Sequence, residues 1–202
     1  MTSPTDARSD LAAVLADIRA CRACLDELPH TPRPVIHVFP ETRLLIWGQA
    51  PGRRVHESGL PFTDPSGDRL RDWLGIDYGT FYAERRLGVA PQAFCYPGTD
   101  PKGGDYPPPK RCAALWRSPL LAALPVVELT LLVGGYAQAW ALGDRAKSSM
   151  TETVRAWRNY GPTILPLPHP SWRNTGWLNR NPWFEAEVLP YLRQRVRSIL
   201  TP

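Results

Sequence analysis

The sequence carries four short, mainly apolar runs, at residues 44–47, 87–90, 128–133 and 163–167. The first, Leu44-Leu45-Ile46-Trp47, has no polar face at all, which is the pattern of a strand buried on both sides in a parallel sheet. Around these runs the apolar positions fall at helical spacing. Leu11, Val14, Leu15 and Ile18 predict a helix over 9–24, with Ser9 or Asp10 at its cap. Further helices are expected at 68–74, 78–85, 111–124, 136–142 and 151–159. A closing helix over 183–200 should be interrupted near Pro190, which lacks the N–H that a helix interior needs. Strands alternating with helices predict an α/β fold, a three-layer α/β/α sandwich around a central, mostly parallel four-stranded sheet. At 202 residues without an internal repeat, the chain suits a single domain spanning residues 1–202.

Two joints in this pattern invite chemistry. The first strand ends abruptly in Gly48-Gln49-Ala50-Pro51-Gly52, with glycines where the backbone is free to take positive φ or let a ligand approach. In open α/β sheets, ligands bind just beyond the carboxyl ends of strands. The stretch 60–67 then sets Phe62 and Asp64 in a proline-braced loop, a rigid stacking platform for a planar ligand. After the fourth strand, His169 stands between Pro168 and Pro170, so its imidazole is aimed by a backbone with little freedom.

The formal charge of +5, with Arg far outnumbering Lys, favours an anionic partner, since guanidinium groups match phosphates bidentately. No signal-peptide pattern and no membrane-length apolar stretch is present, so a cytoplasmic protein is expected. Many of its 23 prolines crowd residues 29–40 and 97–109, which implies braced loops. The four cysteines, Cys21, Cys24, Cys95 and Cys112, fall in two clusters with none left over, which in that compartment favours a metal over a disulfide.

Gly-Gln-Ala-Pro-Gly followed by Gly59-x-Pro61-Phe62-x-x-Pro65-x-Gly67, with His169-Pro170-Ser171 near the end, resembles the uracil-DNA glycosylase superfamily. Its iron–sulfur branch, with GEAPG and GxPFVGPAG, is the nearest in form. The resemblance implies a bacterial, nucleoid-associated, monomeric repair enzyme that flips uracil out of DNA and hydrolyses its N-glycosidic bond, leaving an abasic site. On that likeness Phe62 stacks on uracil, His169 donates to its O2, and Gln49, Ala50 and Gly52 offer polar groups to base or sugar. Ser171, Trp172, Arg173 and Asn174 would engage DNA, the large pair as a wedge and Asn174 at the orphaned base. Lys110 and Arg111 would meet phosphates. The four cysteines would hold a structural [4Fe–4S] cluster, with Zn²⁺ or unligated thiols as the alternatives, and no catalytic cofactor is implied.

This chain departs from the family pattern at three points. Gln49 stands where the iron–sulfur branch has Glu, Ala50 where other members have a water-activating Asp, and Pro91 where an Asn reads uracil. Asp64 is then the preferred carboxylate, followed by Glu57 with His56 beside it, and Gln92 or backbone groups would read the base. Alternatives are a glycosylase for hypoxanthine or xanthine, and a protein that binds lesions or abasic sites without hydrolysis. Trp177 and Trp183 are assigned to packing.

Overall fold

A computed structural model describes the chain from Pro4 to Thr201. In chain order the regular elements are α1 (Pro4–Ala20), β1 (Leu44–Trp47), α2 (Arg53–Ser58), α3 (Pro65–Leu74), α4 (Tyr78–Ala83), β2 (Leu87–Val89), α5 (Lys110–Ala122), β3 (Leu129–Val133), α6 (Gly135–Leu142), α7 (Met150–Arg155), β4 (Ile164–Leu167), α8 (Thr175–Arg180) and α9 (Leu189–Leu200). The strands form one sheet in the order β2-β1-β3-β4, and every pairing is parallel.

Alternation along β1 sorts the core into two layers, because successive strand side chains point to opposite faces. Leu44 and Ile46 pack with Leu70 and Trp73 of α3, Phe81 of α4 and Leu192, Val196 and Ile199 of α9. Leu45 and Trp47 pack on the other face with Leu11, Leu15 and Ile18 of α1, Leu120 of α5 and Ala137 of α6. This is the predicted α/β/α sandwich. Trp177 is buried in the first layer, edge-on to Phe184, and its indole N–H reaches Thr151 Oγ1 at 2.8 Å; Trp183 packs against the same cluster.

Both sheet edges are managed. Along β2, the proline-rich segment lies antiparallel at His37 and donates from Val35 N to Phe94 O at 2.7 Å. The other edge is β4, whose Pro166 needs no ladder partner on the outer side.

Several expected boundaries moved. The first helix starts at Pro4, where a proline costs no hydrogen bond, so Ser9 and Asp10 lie within it instead of capping it. It stops at Ala20, and Cys21 to Cys24 belong to the turn beyond it. The closing helix begins at Leu189 with Pro190 in its first turn, preceded by a π-helical stretch, Phe184–Val188. The short helices α2 and α8 were not anticipated.

Candidate active site

The turn after β1 is pinned from both sides. Gly48 O accepts from Gln92 N at 2.9 Å and Gln49 O accepts from Ala93 N at 3.1 Å, which ties it to the segment following β2. Neither Gly48 nor Gly52 takes positive φ; Gly52 is extended at φ −82°. The left-handed residue is Phe62, at φ 57°, a conformation that costs about 1–3 kcal/mol for a non-glycine residue and persists only where surroundings enforce it.

Three groups enforce it. Pro61 O accepts from the Tyr82 hydroxyl at 2.8 Å, and Phe62 O accepts from Arg71 Nη1 at 3.1 Å. Gly67 lies so close that a Cβ there would stand 1.8 Å from Phe62 O. Arg71 itself is buried, paired with Asp68 at 2.6 Å and flanked by the rings of Tyr78 and Phe81. The Phe62 ring thereby comes over the end of β1, its Cζ 3.8 Å from where a Gly48 Cβ would be.

His169 approaches from β4. Its Nδ1 accepts the Ser171 backbone N–H at 3.2 Å, and its carbonyl accepts from Asn174 Nδ2 at 2.7 Å. Burial holds the imidazole below its ordinary pKa, and Asp64 draws it partly back. A neutral ring whose Nδ1 accepts carries its proton on Nε2, a donor of fixed tautomer. Ser171 O in turn accepts from Arg69 Nη1 at 3.0 Å, so α3 also clamps the loop that follows the histidine.

Gly48, Gln49, Ala50, Pro51 and Gly52 line one cleft together with Phe62, Asp64, Pro91 and His169. Its cavity volume is about 100 Å³, below that of sites for drug-sized ligands. The walls are apolar at Val35, Val55, Pro61 and Val89.

Two expected members are elsewhere. Glu57 is exposed on the outer side of α2, because that stretch winds into a helix, and its backbone carbonyl accepts from Arg33. His56 lies against His30 with the rings tilted and their centroids 4.2 Å apart, outside the cleft lining. Gln92 turns inward: its side chain is buried, its Oε1 meets no hydrogen-bond donor among the described residues, and its contribution to the cleft is the backbone bond to Gly48.

The ionisable residue of the cleft that sequence reasoning does not reach is Asp105. It sits on a hairpin of the loop between Cys95 and Cys112, where Thr99 and Asp105 form a bridge and Tyr106 N donates to Gly98 O at 2.9 Å. The residue is exposed by surface area, but desolvation of its carboxyl at the cleft raises its pKa, against the pull of Thr99, Arg173 and Arg53. Arg53 and Arg69 are further basic residues near the cleft that the motifs did not flag. The weak sequence signal for Asp105 was the Gly103-Gly104 pair before it, both at positive φ, which marks a tight turn.

On the loop after the histidine, Trp172 is 72% exposed and Arg173 lies over its ring and against Gly104. Asn174 uses its amide nitrogen on His169 O. Arg111 is engaged away from the cleft, pairing with Glu27 at 2.9 Å and donating to Ala23 O, while Lys110 is exposed at the start of α5.

The four cysteines line a second, apolar pocket with Ile18, Leu28, Phe94 and Trp116. Phe94 N donates to Cys112 Sγ at 3.4 Å, and burial pushes the Cys95 and Cys112 thiols up to about 11 and about 12. Among the described residues, no group of three or more His, Cys, Asp or Glu side chains is gathered to hold one metal ion.

A family model described as the Uracil DNA glycosylase superfamily matches residues 36–193, a span that runs from the segment beside β2 into α9 and includes both clamped motifs. The chain belongs to the uracil DNA glycosylase superfamily. Members of the superfamily act on DNA, and the cleft is built from the two segments by which the resemblance was first drawn. Among solved structures, this superfamily member is similar to a protein from Methanosarcina acetivorans, provisionally assigned as a uracil DNA glycosylase and solved by NMR in solution. The two share 19% identity over 77% of this chain and 93% of that one, with a TM-score of 0.46. No helix among the described residues is long and apolar enough to cross a membrane.

Proposed function

We propose that this protein is a monofunctional DNA glycosylase that extrudes uracil from DNA and hydrolyses its N-glycosidic bond. The observation that carries the reading is the imidazole of His169, its Nδ1 accepting the Ser171 amide and so leaving Nε2 to donate, in the same cleft as the clamped Phe62 ring. Breaking the bond sends negative charge onto the base, and a fixed donor in a largely apolar cleft stabilises that charge where it develops. Phe62 stacks on the extruded base, Gln49 and the backbone about Ala50 meet its polar edge, and Asp64 or Asp105 supplies the carboxylate. Trp172 and Arg173 stand outside, where a flipped nucleotide leaves a gap to fill. Since Pro91 replaces the side chain expected to read uracil, hypoxanthine and xanthine remain rival substrates.

The cysteine pocket suits an iron–sulfur cluster better than a single ion: it is apolar, all four thiols line it without converging on one point, and it offers a backbone N–H to one sulfur. Cys21, Cys24, Cys95 and Cys112 would hold it, and its contribution there is structural, joining the turn after α1 to the loop that carries Asp105.

Incubating the protein with duplexes carrying uracil, hypoxanthine or xanthine, followed by alkali, tests the reading. Uracil strands should be cut, with the single-turnover rate falling roughly 10²–10³-fold in His169→Ala, as for loss of one transition-state donor. Retained binding to abasic DNA with no cleavage of any duplex refutes hydrolysis and leaves a lesion-binding protein.

A further inference from the structure

We propose that Asp105, and not Asp64, is the carboxylate that takes the proton from the attacking water, an inference that rests on the glycosylase reading above. Three ionisable groups share the cleft: Asp64, Asp105 and His169. The charge that His169 feels is Asp64. An anion beside the histidine opposes the negative charge gathering on the leaving base, so Asp64 is poorly placed to assist departure. Asp105 stands apart from the histidine, its Oδ2 3.4 Å from the site of a Gly52 Cβ, against the turn that lies beyond β1. There a carboxylate faces the positive charge that grows on the sugar.

Its other oxygen is engaged: Thr99 Oγ1 donates to Oδ1 at 3.5 Å, and the Tyr96 hydroxyl bonds Thr99 in turn. The hairpin beneath is closed by Asp100 N to Gly104 O at 2.8 Å, so the carboxylate rides on a braced support. Oδ2 is left for water. Arg53 from α2, Arg173 from the loop after β4 and Asp64 from the start of α3 are the charges that face it, and partial desolvation keeps its carboxyl basic. The water oxygen bonds to C1′ as the C1′–N1 bond breaks, the bonding pair passes to the base, and the water proton passes to Asp105 Oδ2. The base anion is then protonated from solvent, to which Asp105 returns its proton. Water and nucleotide give abasic sugar and free base.

Single-turnover rates on a uracil duplex, measured across pH for wild type, Asp105→Asn, Asp64→Asn and Thr99→Val, test this. Asp105→Asn should lose roughly 10²-fold or more in rate and lose the acid limb of the profile, while keeping its affinity for abasic DNA. Asp64→Asn should lose about tenfold or less. Thr99→Val leaves the carboxylate in place but removes its hydrogen bond, so the acid limb should move to higher pH while the plateau holds. An Asp105→Asn rate within about threefold of wild type, an unmoved limb in Thr99→Val, or the full loss falling on Asp64→Asn overturns the assignment while wild-type cleavage stands. Failure of the wild type to cleave any duplex instead removes the glycosylase reading, and this assignment with it.

Discussion

At the scale of single residues, the site depends on side chains that hold others in place. His169 keeps its tautomer through the Ser171 amide, and protonating Nδ1 would sever that bond. Burial lowers its pKa, so as pH falls through about 6.5 the unfolded chain takes up a proton that the folded one refuses, and stability is lost. Denaturant unfolding at about pH 7.5 and 5.5 should therefore show a larger acid loss for wild type than for His169→Asn. Arg71 does for Phe62 what Ser171 does for the histidine. Arg71→Met preserves bulk but strips the Phe62 carbonyl of a charged donor, while Asp68, 79% exposed, is not left buried. The expected cost is about 1–3 kcal/mol in denaturant midpoint, with weaker binding of uracil duplexes as the ring loses its clamp.

Elements decide which substitutions the clamp tolerates. Gly67 opens α3 against the Phe62 backbone, so Gly67→Ala has no room and should cost about 1–3 kcal/mol in a melting experiment, together with most of the excision rate. Gly48→Ala meets only ordinary contact at 3.8 Å from Phe62 Cζ and should leave the fold intact. The loop after β4 carries Trp172 largely in solvent, so Trp172→Ala should leave the melting temperature unchanged and lower affinity for a uracil duplex. The strands were legible because each is buried on both faces and so reads as an unbroken apolar run. The helices α2 and α8 were not: α2 lies between Gly52 and Gly59 in a stretch that reads as a motif loop, and α8 follows directly on the loop after the histidine. In the site, His169, Phe62 and Asp64 were legible from local proline and glycine chemistry. Asp105 was not, because its place in the cleft follows from a hairpin folding back onto the β1 turn, a contact between segments more than fifty residues apart. Glu57 misled for the opposite reason: it is close to the motif in sequence, but a helical turn carries it outward.

Across the molecule, α1 packs beneath the sheet through Leu11, Leu15 and Ile18, and the turn that follows it delivers Cys21 and Cys24 to the pocket that holds Cys95 and Cys112. If that pocket holds a cluster, protein purified without oxygen is brown, absorbing broadly near ~400 nm. Its removal by a chelator and oxidant should lower the melting temperature more than it lowers the excision rate of the protein that stays folded. A colourless protein containing zinc would replace the cluster with a single ion. The strand order has its own consequence for synthesis. β1, which carries the first motif, is flanked by β2 and by β3, and the histidine follows β4, so no fragment released from the ribosome before residue 169 contains the cleft. A nascent or prematurely ended chain thus has the Phe62 platform without His169, and on the reading proposed above it meets no damaged base productively until the segment after the fourth strand has been made.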